Sequence, residues 1–133
     1  MSHATQAASS VSLIGMPKAP HNGSRGIGRM SGREYELYCV HWLRDKGFHN
    51  IQTTPATGDY GADIIAYDPN GYKWAFQCKR YSGKVSVKAI QEVSSARDHY
   101  RCHYAAVITN SSFTKNAYEL AHSNDVRLFE HIC

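Results

Sequence analysis

Apolar residues recur along this chain in two rhythms. Over 33–46 they fall three and four apart. Tyr35, Tyr38, Cys39, Trp42 and Leu43 make one stripe at about 100° per residue, which predicts a helix. Ser31 is a favourable N-cap with Glu34 three residues on as its capping-box partner, and Gly47 ends the helix. Ala89, Ile90, Val93, Ala96 and Tyr100 form the inner face of a second helix over 86–100, and a third is predicted over 114–122. Elsewhere the rhythm shortens to runs bounded by Gly, Pro, Asn and Asp. These predict strands over 48–54, 61–67, 72–81, 104–109 and 126–129. The order α-β-β-β-α-β-α-β predicts an α/β domain with a mixed central sheet and helices on both faces. No internal repeat is visible.

One turn fixes more than the connection it makes. Asp68-Pro69-Asn70-Gly71 suits a type I turn followed by a left-handed glycine, the common three-residue hairpin loop. Asp68 then pairs with Tyr72. The same register sets Asp63 opposite Gln77 and Gly61 opposite Lys79. Residues two apart on a strand share a face, so Asp63, Gln77 and Lys79 form one polar cluster. Phe76 and Cys78 point the other way, and a core thiol is favoured over a nucleophile for Cys78.

The first helix contributes a fourth candidate. By angle Glu36 falls between Leu43 and Val40, at the edge of the apolar stripe, whereas Glu34 lies on the solvated side with His41 and Asp45. A carboxylate at an apolar boundary is costly unless paired or bound to a metal. Together these residues suggest metal-assisted phosphodiester hydrolysis. Asp63 would be a hard oxygen ligand for Mg²⁺ or Mn²⁺. Gln77 would offer a neutral amide oxygen to the same ion, and Glu36 would ligate it directly or through water. Lys79 would orient the attacking water and stabilise the pentavalent phosphate. The alternative is purely structural: a cross-strand Asp63–Lys79 ion pair beside a hydrogen-bonded core amide.

Composition narrows the setting. The 133 residues are 42% hydrophobic, enough for one domain with its own core. No apolar run approaches the roughly 18–20 residues of a membrane span, and no basic region precedes the short apolar patch near the start. The four cysteines are widely spaced without a CxxC pair, so reduced thiols and a cytoplasmic location are expected. Residues 1–30 hold three basic side chains and no acid, leaving 12 of the 15 bases against all 11 acids over 31–133. We read 1–30 as a flexible tail and 31–133 as the folded domain. The glycines of GSRGIG at 23–28 lack the preceding strand that a phosphate loop needs. Nucleic-acid affinity in so balanced a domain requires a local patch. The densest is Lys79, Arg80, Lys84 and Lys88, with Arg80, Lys84 and Lys88 as phosphate contacts; a solvated helix entrance is the alternative. Asp59 could hold a second ion through water or simply form the turn. Gln91 is a possible accessory residue facing the site, with a surface amide as the alternative. Asn110, Ser111 and Ser112 precede the third helix, so Ser112 or Thr114 is expected to cap it; phosphate binding there is the alternative.

Several separated motifs resemble one family in the right order. They are GREYE in the first helix, GDYGADI before the hairpin, QCKRY after it, then VKAIQEV, VITNSSFTKNA and VRLF. Over roughly 31–130 the chain resembles Mrr-like restriction endonucleases, a branch of the PD-(D/E)xK nuclease superfamily. The resemblance implies a restriction-endonuclease-like fold and divalent-metal DNA cleavage. It carries the family's functional helix acid onto Glu36, its aspartate onto Asp63, and its (D/E)xK pair onto Gln77 and Lys79, in a QxK form similar to one found in this branch. The implied cofactor is Mg²⁺, with Mn²⁺ able to substitute. The implied partners are DNA and either a second copy of the chain or a separate recognition subunit. Gln77 also motivates an alternative: a catalytically weak or inactive nucleic-acid-binding module on the same fold. A junction- or damage-directed nuclease is a further one.

Overall fold

The structure is a computed structural model that describes residues 30–55 and 60–133. The expectations for the tail, for GSRGIG and for Asp59 fall outside these, apart from Met30. That residue, assigned to the tail, is buried against the first helix side of the core.

The predicted element order is the one found: α1 (Gly32–Asp45), β1 (His49–Thr53), β2 (Ile64–Tyr67), β3 (Lys73–Lys79), α2 (Val87–His99), β4 (Tyr104–Thr109), α3 (Lys115–Asn124) and β5 (Val126–Phe129). The five strands form one mixed sheet in sequential order. β1–β2 and β2–β3 are antiparallel, whereas β3–β4 and β4–β5 are parallel. Parallel neighbours need crossovers, which α2 and α3 supply. α1 covers one face, over Ile64, Phe76, Ala106 and Ile108. α2 and α3 cover the other, over Ala75, Ala105 and Val107. The strands β2 to β5 therefore alternate their side chains between two separate cores, which explains the near-continuous apolar runs of β2 and β4.

The hairpin register matches the one derived from its turn. Ile64 pairs with Phe76, Ala66 with Trp74 and Tyr67 with Lys73. Asp68 organises the loop. Its Oδ1 accepts from the backbone N–H groups of Asn70 and Tyr72, each at 2.9 Å, and its Oδ2 accepts from Trp74 Nε1 at 2.9 Å. Gly71 has φ +90°, the left-handed conformation that favours glycine.

α1 is capped as its sequence predicts: Glu34 N–H donates to Ser31 Oγ and Ser31 N–H to Glu34 Oε1. Its buried stripe, however, is Tyr35, Cys39, Val40 and Leu43, with Tyr38 and Trp42 only partly covered. The stripe is rotated toward Val40. Glu36 therefore lies near its centre rather than its edge, close to the N-terminal end of the helix. Of the two cap candidates for α3, Thr114 is the one, its Oγ1 accepting from Ala117 N–H. Among the described residues no helix is long and apolar enough to cross a membrane.

Candidate active site

The hairpin's polar side opens into a cleft of about 500 Å³ lined by, among others, Glu36, Tyr60, Asp63, Gln77, Lys79 and Glu92. Four of these are the predicted cluster. Asp63 stands just before β2, where its backbone N–H donates to Phe76 O at 2.7 Å. Its Oδ2 accepts from Cys78 N–H at 2.8 Å, so one carboxylate oxygen is held by the facing strand. Glu36 reaches the cleft from α1. Its side chain is 14% exposed, and its Oε2 pairs with Arg33 Nη1 at 2.7 Å.

Glu92 of α2 closes the cleft, and the motif reading passed it over. Its Oε1 accepts from Gln77 Nε2 at 2.9 Å and lies 3.8 Å from Lys79 Nζ. The carboxylate is thus shared between the amide and the ammonium. Gln77 is only 5% exposed. With its NH₂ engaged by Glu92, its oxygen is left as the acceptor. The ion pair of Lys79 is with Glu92, rather than across the hairpin with Asp63. Gln91, the residue named from this helix, is exposed on its outer side. Spacing could have separated the two: Glu92 is three residues after Ala89 and four before Ala96, both buried.

α2 comes this close because of Gly61. That residue has φ +90°, and a Cβ there would lie 2.3 Å from the carbonyl oxygen of Glu92. Only a glycine lets the loop before Asp63 rest on the helix backbone.

Cys78 borders the same cleft, but its thiol is pushed well above the ordinary cysteine value. Its hydrogen bond with the Cys39 thiol is the largest cause, followed by burial and the charges of Asp63 and Glu36. It remains protonated at neutral pH and is packing rather than a nucleophile.

The basic stretch lies on the other side of Lys79. Arg80, Lys84 and Lys88 line a second cleft of about 350 Å³ that shares Lys79 with the first. Arg80 Nε is buried with no hydrogen-bond partner among the described residues. The loop is held from the end of β4: Thr109 Oγ1 donates to Lys79 O at 2.6 Å and Ser111 Oγ to Gly83 O at 2.6 Å. Asn110 grips Tyr81 twice, donating to its carbonyl and accepting from its N–H.

Among the described residues no three His, Cys, Asp or Glu side chains converge into a ready-made metal cluster. Among the described residues lining the cleft, the oxygen donors include the carboxylates of Asp63, Glu36 and Glu92 and the amide oxygen of Gln77. That set suits a hard divalent cation that keeps several of its waters.

A family model described as a restriction endonuclease, Mrr_cat, matches residues 27–131. No curated protein matches the chain. Among solved structures, a repair endonuclease from Pyrococcus abyssi is similar at 14% identity and a TM-score of 0.54, over 86% of this chain and 49% of that one. An EndoMS–double-stranded DNA complex is similar at 13% identity and 0.58, over 86% and 48%. A protein of unknown function is similar at 16% identity and 0.58, over 69% and 54%. The chain spans about half the length of each of these structures. At such identities the likeness shows the fold, which is restriction-endonuclease-like.

Proposed function

Starting from a chain that belongs to the Mrr_cat restriction endonuclease family, we propose that it is a divalent-metal-dependent DNA endonuclease that hydrolyses phosphodiester bonds with Glu36, Asp63, Gln77, Lys79 and Glu92. The observation that carries this reading is the meeting of Asp63, Gln77 and Lys79 in one cleft with Glu92 bridging the last two.

A bound Mg²⁺ or Mn²⁺ would supply Lewis acidity at the phosphoryl oxygen and an activated water. Asp63 and Gln77, with Glu36 alongside, are the residues that would hold it. The chain's own groups do the rest. Cys78 N–H orients the Asp63 carboxylate through one oxygen. Glu92 orients the Gln77 amide and adds the negative charge that glutamine lacks in the (D/E)xK position. Lys79, loosely paired at 3.8 Å, keeps an ammonium beside the scissile phosphate, where it stabilises developing charge. Arg80, Lys84 and Lys88 would follow the DNA backbone away from the cleft.

DNA is the proposed partner, and one structural neighbour is a complex with double-stranded DNA. A second copy of the chain or a separate recognition subunit would complete the specificity, and the proposed location is cytoplasmic. Asp63→Ala and Lys79→Ala are each expected to abolish Mg²⁺-dependent nicking of supercoiled plasmid while leaving the circular dichroism spectrum intact; full activity in either variant would end the proposal. The alternative, a module on the same fold that binds but does not cut, is motivated by Gln77. It predicts no Mg²⁺ or Mn²⁺ uptake at Asp63 in a calorimetric titration.

A further inference from the structure

Tyr60 lines the cleft three residues before Asp63, and the residue is 60% exposed. It is not a loose surface residue. One face of its ring lies on the imidazole of His99, with centroids 3.8 Å apart and planes 19° from parallel. Tyr100 meets it edge-on at 6.2 Å and 79°, and His99 and Tyr100 are themselves perpendicular at 4.8 Å. The backbone beneath is equally set. Tyr60 has φ +53°, a left-handed conformation that costs a bulky residue energy. Gly61 follows, seated on the Glu92 carbonyl.

On stability grounds this position favours asparagine or glycine. A tyrosine here gains no core burial. What it presents is a flat aromatic face, backed by a second ring, in the cleft that Asp63 and Lys79 also line. A base inside a duplex shows the grooves only its edge. A base that has left its stack shows a π-face, and such a face is what an exposed, rigid aromatic ring takes up.

We propose that Tyr60, propped by His99, is a stacking platform for an unpaired nucleobase, so that the preferred substrate of this site is DNA with an unstacked base beside the phosphate to be cut. This rests on the nuclease reading and narrows its substrate class.

The test is binding of the full chain, in EDTA so that nothing is cut, to a short single-stranded oligonucleotide carrying 2-aminopurine and to its fully paired duplex. Tyr60→Ala is expected to weaken single-strand binding about 5- to 150-fold, with Tyr60→Phe within about twofold of the unaltered chain and duplex binding unchanged in both. The unaltered chain should quench 2-aminopurine emission and Tyr60→Ala should not. His99→Ala, which removes the prop, should fall between. Tyr60→Trp keeps a platform and should bind at least as tightly, which separates a lost face from a damaged fold. Tyr60→Ala binding single strands as tightly as the unaltered chain, or losing the same factor on both DNAs, would overturn the proposal. The nicking assay keeps the two readings apart. Normal plasmid cutting with no Tyr60-dependent stacking removes the platform alone. Tyr60-dependent stacking without cutting under Mg²⁺ or Mn²⁺ removes the nuclease.

Discussion

Glu92 is the residue whose replacement tells most. Its Oε1 accepts from Gln77 Nε2 at 2.9 Å and stands 3.8 Å from Lys79 Nζ, so Ala and Gln dissect two different roles. Glu92→Ala removes the acceptor and strands the NH₂ of an amide that is 5% exposed. An unsatisfied buried donor costs about 1–3 kcal/mol. The ion pair adds little, because the Lys79 and Glu92 side chains are 40% and 33% exposed and such pairs contribute about 0–1 kcal/mol. Urea denaturation of Glu92→Ala should therefore show a loss of about 1–3 kcal/mol, nearly all from Gln77. Glu92→Gln keeps an oxygen for Gln77 to donate to, and should lose less than about 1 kcal/mol. What both variants lose is the charge. Nicking by Glu92→Gln should fall by about tenfold or more at limiting Mg²⁺ and recover partly as Mg²⁺ is raised, since about 1.4 kcal/mol of lost ion affinity is one decade. If Glu92→Gln cuts like the unaltered chain at every Mg²⁺ concentration, Glu92 only supports Gln77. If Glu92→Ala is fully stable, the hydrogen bond argued for it does not matter.

Other replacements test the surroundings. Lys84→Ala and Lys88→Ala should each weaken DNA binding about equally across sequences and lower the salt slope by about one unit, read from affinities at several ionic strengths; an unchanged slope would detach the second cleft from the DNA path. Gly61→Ala forces a Cβ into the Glu92 carbonyl and a side chain into a positive-φ backbone. It should cost about 2 kcal/mol or more in urea denaturation and depress nicking further than its stability explains. The pH dependence has a defined sign. Burial first of all raises the Tyr35 phenol, and the Cys39 hydrogen bond first of all raises the Cys78 thiol. Both protonated forms favour the folded chain. Their contribution is complete below the unfolded-chain values and lost as pH rises beyond them, so stability should decline above about pH 9. A flat profile through that range, or no softening of the decline in Cys78→Ala, would contradict the assignment.

What was legible in the sequence followed from rules that act over a few residues. The Asp-Pro-Asn-Gly turn set the hairpin register, and from it the placing of Asp63 against Gln77 and Lys79. Helical angle separated Glu36 from the capping Glu34. What escaped depends on elements far apart in the chain. Glu92 enters the cleft only because α2 docks on the backbone at Gly61, an approach that neither segment's pattern announces. Val40 is buried and Trp42 partly open because the sheet meets α1 at an angle its own stripe does not specify. Asn110 and Ser111, read beside a helix cap, instead grip a loop that lies 28 and 29 residues earlier. Such bonds from side chain to backbone leave no periodic trace.

The turn at Asp68 lies at the far end of the hairpin from the chemistry, yet it governs which changes of chain length the site can accept. With Asp68 holding Asn70, Tyr72 and Trp74, one residue added between Asp63 and the turn would carry Asp63 to the face beneath α1. One added between the turn and Gln77 would do the same to Gln77 and Lys79. Two added residues would restore the face. β1, at the sheet edge, already contains an irregularity between His49 and Gln52, the kind of bulge that absorbs an extra residue; the β2–β3 register runs without one. Insertions and deletions should therefore be tolerated along β1, and in the β2–β3 hairpin only in even steps.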